Sequence, residues 1–141
     1  MTGTQSLHAT CVAWDGLGVM VTGASGSGKS ALGLTLMGFG CTLVADDRVR
    51  LSVAEGSVIA QCPATISGLI EARGVGILNA AHVPQAKVAL VVDLDKSETA
   101  RLPQPRTITL LGCDLPLIYR VESPHFAASI LQILKGGWSD R

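Results

Sequence analysis

From position 23 to position 30 the chain reads G-A-S-G-S-G-K-S, which satisfies the pattern G-x-x-x-x-G-K-[ST]. No other stretch constrains the fold as much. A loop of this kind works only between a strand that ends at it and a helix that starts from it. Both neighbours are present: the apolar run Val19–Thr22 precedes it, and Ser30–Met37 (S-A-L-G-L-T-L-M) suits a short helix stopped by Gly38-Phe39-Gly40. With ordinary residue usage, four fixed positions match by chance in about one chain in a hundred of this length. The glycines let backbone N–H groups turn inward, and the helix start adds partial positive charge. The cradle for a nucleotide triphosphate is thus Gly23, Ala24, Ser25, Gly26, Ser27, Gly28, Lys29 and Ser30. Lys29 reaches the outer phosphates and the Ser30 hydroxyl faces Mg²⁺. The glycines at 23, 26, 28 and 33 do not supply the G-x-G-x-x-G of a dinucleotide fold.

The other bulk features narrow the class. At 141 residues, with 48% hydrophobic and 16% charged residues, the chain is one globular domain able to bury a core. Zero formal net charge and the lack of a basic block disfavour nucleic acid as a partner. Apolar stretches such as Val88–Leu94 are strand-length and too short to span a membrane. The opening M-T-G-T-Q-S-L-H-A-T-C has no charged-then-apolar signal, so a cytoplasmic setting is expected. Cys11, Cys41, Cys62 and Cys113 are widely spaced beside apolar residues and read as reduced core thiols.

Along the chain, His8–Trp14 and Val19–Thr22 flank the turn Asp15–Gly18, which predicts a hairpin. Cys41–Ala45 predicts a buried strand ending at Asp46-Asp47. Arg48–Val53 and Ser57–Cys62 predict a second hairpin about Glu55-Gly56. Pro63–Asn79 has no clean period and reads as a functional loop. Lys87–Leu94 is a strand, Glu98–Arg106 a proline-punctuated connector, and Thr107–Tyr119 one or two strands broken between Gly112 and Pro116. Phe126–Lys135 has helical spacing and ends at Gly136-Gly137. The sum is one mixed α/β domain.

A phosphate loop needs a further carboxylate near the metal, and two places offer one. C-T-L-V-A-D-D ends at Asp46-Asp47; V-A-L-V-V-D-L-D ends at Asp93 and Asp95. An ordinary ATPase layout favours Asp93. Two adjacent aspartates suit a site where one faces metal and the other moves a proton.

Three stretches together resemble one family. Gly23–Leu51 is similar to the nucleotide loop, helix and double-aspartate strand of the HPr kinase/phosphorylases. Ile66–Asn79 resembles that family's signature E-x-R-G-x-G-[IL]-[IL]-N, with Glu71, Arg73, Gly74, Gly76 and Asn79 in place. His8 stands fifteen residues before Gly23, where the family keeps a histidine near its catalytic aspartate. The likeness covers about residues 7 to 126, the catalytic half of the family's usual chain.

The resemblance implies a single domain over 1–141 with a P-loop and a mixed sheet, related to phosphoenolpyruvate carboxykinase. It implies transfer of a phosphoryl group from ATP with Mg²⁺ to a serine of HPr or an HPr-like phosphocarrier. It also implies reversal with inorganic phosphate, releasing pyrophosphate, and a homo-oligomeric assembly. By position, Asp46 takes the serine proton and His8 holds Asp46 in place. Ser30 and Glu71 face the metal, Asp47 helps fix metal or loop geometry, and Arg73 is a phosphate-region cation or a loop anchor. Three departures accompany it: the N-terminal domain of longer members is missing, as in a short form or an excised fragment; Ala31 replaces a frequent glutamate; and Glu122-Ser123-Pro124-His125-Phe126 stands where longer members carry a basic loop. Two rivals remain open: a small-molecule P-loop kinase, and an ATP-sensing regulatory module without turnover.

Overall fold

The structure, a computed structural model, describes residues 3–139. In chain order the strands and helices are β1 (Thr4–Leu7), β2 (Ala9–Trp14), β3 (Leu17–Thr22), α1 (Lys29–Gly38), β4 (Thr42–Ala45), β5 (Val49–Ala54) and β6 (Ser57–Gln61). There follow a 3₁₀ turn (Ala64–Ile66), β7 (Leu69–Ala72), β8 (Gly76–Asn79), β9 (Gln85–Ser97), β10 (Arg106–Leu110), β11 (Cys113–Arg120) and α2 (Phe126–Gly136).

Three hairpins share one device. Asp15-Gly16, Glu55-Gly56 and Leu111-Gly112 each place two residues at positive φ, between 49° and 80°. That is the type I′ turn, whose twist matches the strands it joins. The first turn is therefore two residues, not the four expected, and β3 starts at Leu17. The last strand break likewise closes at Gly112, and Pro116 lies inside β11. Arg106, expected in the connector, opens β10.

Nine strands form one mixed sheet in the order β1-β5-β6-β9-β3-β2-β4, with β11 on β9 and β10 on β11. The 13-residue β9 is its spine. One edge of β9 pairs with β3, parallel, from Lys87 to Asp93. Its other edge serves two partners in turn, β6 antiparallel through Gln85–Lys87 and β11 parallel through Val91–Ser97. A strand shared this way splits the sheet and curls it.

Alternation along the strands feeds two cores. Val12, Val19, Val21, Leu90 and Val92 face α1 and α2, together with Leu36 and Ile130. Cys11, Met20, Val88 and Val91 point the other way, onto Val49, Leu51 and Val58 of the curled strands. β9 is buried on both faces, which is why its sequence is a continuous apolar run rather than an alternating one.

Residues 63–79, expected to be a loop, instead contain the hairpin β7–β8, which docks on α1 through Ile70. Its strands have four residues each, and the glycines of the turn obscure the alternation. Ile70 and Ala72 are nevertheless buried between exposed Leu69 and Glu71.

All four cysteines are free. Burial pushes the Cys11 thiol up to about 12, so hardly any thiolate exists at neutral pH. Iodoacetamide should leave Cys11 unmodified in the native protein and alkylate it in urea, as peptide masses would report. Alkylation of native Cys11 within minutes would contradict the buried placement.

Candidate active site

The strands β3, β4 and β9 point in one direction, since β2 is antiparallel to both β3 and β4 while β9 is parallel to β3. Their carboxyl ends therefore lie along one edge, the usual place for a ligand in such sheets. The glycine loop leaves β3 at that edge. Gly23, Gly26 and Gly28 have φ of 149°, 82° and 101°, values a side chain resists. Gly28 is the N-cap of α1, and no side chain caps the helix. The first-turn N–H groups are thus left for a ligand, and no acidic residue stands in that turn to oppose an anion. Lys29 folds back over the loop, its Nζ donating to the carbonyls of Gly23 (2.9 Å) and Ala24 (3.0 Å).

Asp46, at the end of β4, is only 6% exposed and is tied down on three sides. The register that sets Ala45 against Cys11 brings Asp46 beside Thr10. Thr10 Oγ1 donates to Asp46 Oδ1 at 2.7 Å, and Ser30 Oγ donates to the same oxygen at 2.7 Å. The backbone N–H of Glu71 donates to Oδ2 at 3.0 Å. β2, α1 and β7 therefore converge on one carboxylate. Thr10 is a residue that sequence reasoning missed. Threonine is so ordinary in a strand that its one signal was being polar within a fully buried run.

His8 is placed differently from expectation. Its Nδ1 lies 3.7 Å from Asp47 Oδ1, not at Asp46, and both side chains are largely exposed. His8 sits in the bend between β1 and β2, outside either strand, and Thr10 within β2 takes the place beside Asp46. Asp47 has a φ of 73°, a left-handed conformation uncommon outside glycine.

The remaining candidates gather around one opening. A cavity of about 310 Å³ is lined by Ser25, Gly26, Lys29 and Ser30 of the loop, with Asp47, Glu71 and Arg73 opposite. A Cβ built on Gly26 would stand 4.0 Å from Arg73 Nη2, so the guanidinium leans over the loop. Gly74 and Gly76 take positive φ in the β7–β8 turn, and Asn79 pairs with Leu69 at its base. These three shape the hairpin that carries Glu71 and Arg73.

Among the described residues no three His, Cys, Asp or Glu side chains converge as a metal cage. The donors present are all oxygens: Ser30, Asp47 and Glu71. A hard cation that keeps its waters and arrives with phosphate needs only one or two protein carboxylates, so this set fits Mg²⁺ carried by a nucleotide. Asp93 and Asp95 stand in the last part of β9 and reach the loop only at its first residues. Asp93 Oδ1 accepts the N–H of Asp95, and Asp95 Oδ1 accepts the N–H of Ala24, each at 2.9 Å. In the departing segment, His125 is the N-cap residue of α2 and its ring bonds the Ser123 hydroxyl.

Gly33 shows how tightly α1 is set against Thr10. A Cβ there would lie 2.7 Å from Thr10 Cγ2. Helix propensity alone favours alanine by about 1 kcal/mol, whereas overpacking costs about 1–3 kcal/mol. Gly33→Ala should therefore lose stability in urea, despite the better helix former, by pressing on Thr10 and disturbing its bond to Asp46. A higher urea midpoint would refute this packing.

Fold and site together define a mixed α/β domain with a glycine loop and a fixed carboxylate at the carboxyl edge of its sheet. The family described as HPr Serine kinase C-terminal domain matches residues 1–114, and the chain belongs to that family. HPr kinase/phosphorylase of Verminephrobacter eiseniae is 37% identical over 121 residues, covering 76% of this chain and 38% of that protein. The HPr kinase/phosphorylase of Aromatoleum aromaticum is 40% identical over 121 residues, covering 76% and 39%. The chain thus spans less than half the length of these curated relatives. The solved structure of the Hpr(Ser) kinase/phosphatase from Coxiella burnetii superposes with a TM-score of 0.77 at 28% identity, covering 93% of this chain and 94% of that one. No helix among the described residues is long and apolar enough to cross a membrane.

Proposed function

We propose that this chain is an ATP-dependent protein-serine kinase acting on HPr or an HPr-like phosphocarrier, with MgATP held in a P-loop. The observation that carries the reading is the placement of Asp46. A carboxylate has about four lone-pair sites. Thr10 and Ser30 occupy both on Oδ1, and the Glu71 N–H occupies one on Oδ2. One site on Oδ2 is left to receive the proton of an attacking serine hydroxyl. Ser30 donates its hydroxyl hydrogen bond to Asp46, which leaves its oxygen lone pairs free for a magnesium ion that would arrive with the nucleotide. Lys29 exchanges two loop carbonyls for the outer phosphates when nucleotide enters. Asp47 and Glu71 would hold the metal brought by the nucleotide, and Arg73, which leans over the loop, would face the transferred group. Catalysis then rests on positioning and charge neutralisation around a loose transition state.

The same groups serve the reverse direction. A phosphate oxygen attacks the phosphorus of phosphoserine, the serine oxygen leaves with a proton from Asp46, and pyrophosphate departs. The overall likeness to phosphoenolpyruvate carboxykinase, a homo-oligomeric state and a cytoplasmic setting belong to the same proposal. Incubation with ATP, Mg²⁺ and HPr should raise the intact mass of HPr by one phosphoryl group, located on a serine. Unmodified HPr beside consumed ATP would favour a small acceptor, and unmodified HPr beside bound, unconsumed ATP a sensing module.

A further inference from the structure

We infer that Asp95 and Arg120 are positioning residues that set the peptide planes of the glycine loop for phosphate. The inference rests on the reading of that loop as the nucleotide site. A trans peptide puts its C=O and N–H on opposite sides, so whatever grips one group aims the other. Asp95 Oδ1 accepts the Ala24 N–H at 2.9 Å. The carbonyl of the same peptide unit, that of Gly23, is the one that receives Lys29 Nζ at 2.9 Å. Asp95 thereby turns the first peptide of the loop so that its oxygen holds the lysine. Asp95 is itself fixed through its N–H to Asp93 Oδ1 at 2.9 Å.

Arg120 does the converse at the far end of the loop. Its Nη2 donates to the Ser27 carbonyl, and its Nε donates to the Leu94 carbonyl at 3.2 Å. Pulling the Ser27 oxygen toward β11 turns the N–H of Gly28 the opposite way, and Gly28 lines the 310 Å³ cavity. Arg120 is aimed by the fold. The β9–β11 register slips between Tyr119 and Arg120, the kind of irregularity that redirects a side chain. The Ser27 hydroxyl is buried without a hydrogen-bond partner, so Ser27 is gripped through its backbone. Glu122, at 3.8 Å from Arg120 Nε, is 79% exposed, and a pair so solvated adds little. The carbonyl bonds define the role of Arg120. β9 and β11 thus reach the two ends of a loop that lies 71 and 93 residues away in sequence.

The test is equilibrium titration of the full chain with MgATP, with urea unfolding of each variant alongside. Arg120→Ala and Asp95→Ala should each raise Kd for MgATP about tenfold, the scale of one charged hydrogen bond lost. Asp95→Asn keeps an acceptor oxygen for the Ala24 N–H and should restore Kd to within about twofold. A role confined to stability would shift the urea midpoints, leave Kd of the folded protein unchanged, and give no such rescue. Should Arg120→Ala not fold, the Asp95→Ala and Asp95→Asn pair decides. A wild-type chain that does not bind MgATP overturns the nucleotide reading and this inference with it. A wild-type chain that binds it, with unchanged Kd in both alanine variants or with Asp95→Asn as weak as Asp95→Ala, overturns this inference alone.

Discussion

Lys29→Ala should cut ATP-dependent phosphorylation of the acceptor by about 10²–10³-fold while the protein stays folded. The side chain is half-exposed, and its bonds in the structure go to two carbonyls at the loop rim, which water can satisfy in its absence. The cost to stability is thus about one ordinary hydrogen bond, near 1 kcal/mol. The cost to turnover is far larger. On the proposed function the ammonium would neutralise phosphate charge that redistributes as the group moves, and removing one such fixed stabiliser typically slows a reaction about 10²–10³-fold. Steady-state phosphorylation of HPr, with urea unfolding as the control, checks both halves. A folded variant with unchanged turnover would take the glycine loop out of the reaction.

The second large effect concerns Asp46. Asp46→Asn should cut phosphoryl transfer by about 10²–10⁴, the usual loss when a general base is removed. Binding of MgATP should stay within a few-fold, because the loop, Lys29 and the oxygen of Ser30 remain. The structure adds a second consequence. An asparagine that keeps its oxygen toward Thr10 and Ser30 must point its NH₂ at the Glu71 N–H, donor against donor. The β7 end of the site should therefore loosen, with a loss of about 1–3 kcal/mol in urea. Asp93→Asn is the matched control, since Asp93 Oδ1 takes a single backbone N–H, that of Asp95. If Asp93→Asn were the more damaging change, the ordinary ATPase arrangement would hold and the role given to Asp46 would be wrong.

These expectations draw on two kinds of information that the sequence carries unequally. Local rules made much of the framework readable. The turn signals Asp15–Gly18 and Glu55-Gly56 marked two hairpins, and the structure closes each on two residues at positive φ. The glycine loop announced its strand and helix, and the step from apolar β4 to two aspartates marked the end of a strand. The hairpin β7–β8 escaped because a four-residue strand shows only two periods of alternation, and glycines blurred those. Leu111 hid a turn by adopting a φ of 49°, which leucine seldom does.

Within the site, residues whose chemistry is local were legible and residues whose role depends on register were not. Lys29 and Ser30 could be named from spacing, while the choice of Asp46 over Asp93 needed the family resemblance. Thr10 holds Asp46 across 36 residues of chain, and Arg120 holds Ser27 across 93. Neither lies in a motif. His8 illustrates the reverse: a residue marked by resemblance, whose ring the backbone at the start of β2 turns toward Asp47 instead of Asp46. The Gly33–Thr10 contact explains why helix, strand and carboxylate form one unit despite their separation in sequence.

The central claim is that this chain moves the terminal phosphate of ATP onto a protein serine at Asp46. The most direct measurement follows γ-labelled ATP in a single turnover with excess protein, Mg²⁺ and HPr. The account predicts that label leaves ATP and enters phosphoserine of HPr at the same rate, and that Asp46→Asn retains the label in bound ATP. Label remaining in ATP with the wild-type chain, or leaving it for a small molecule or water while HPr stays unlabelled, would contradict it.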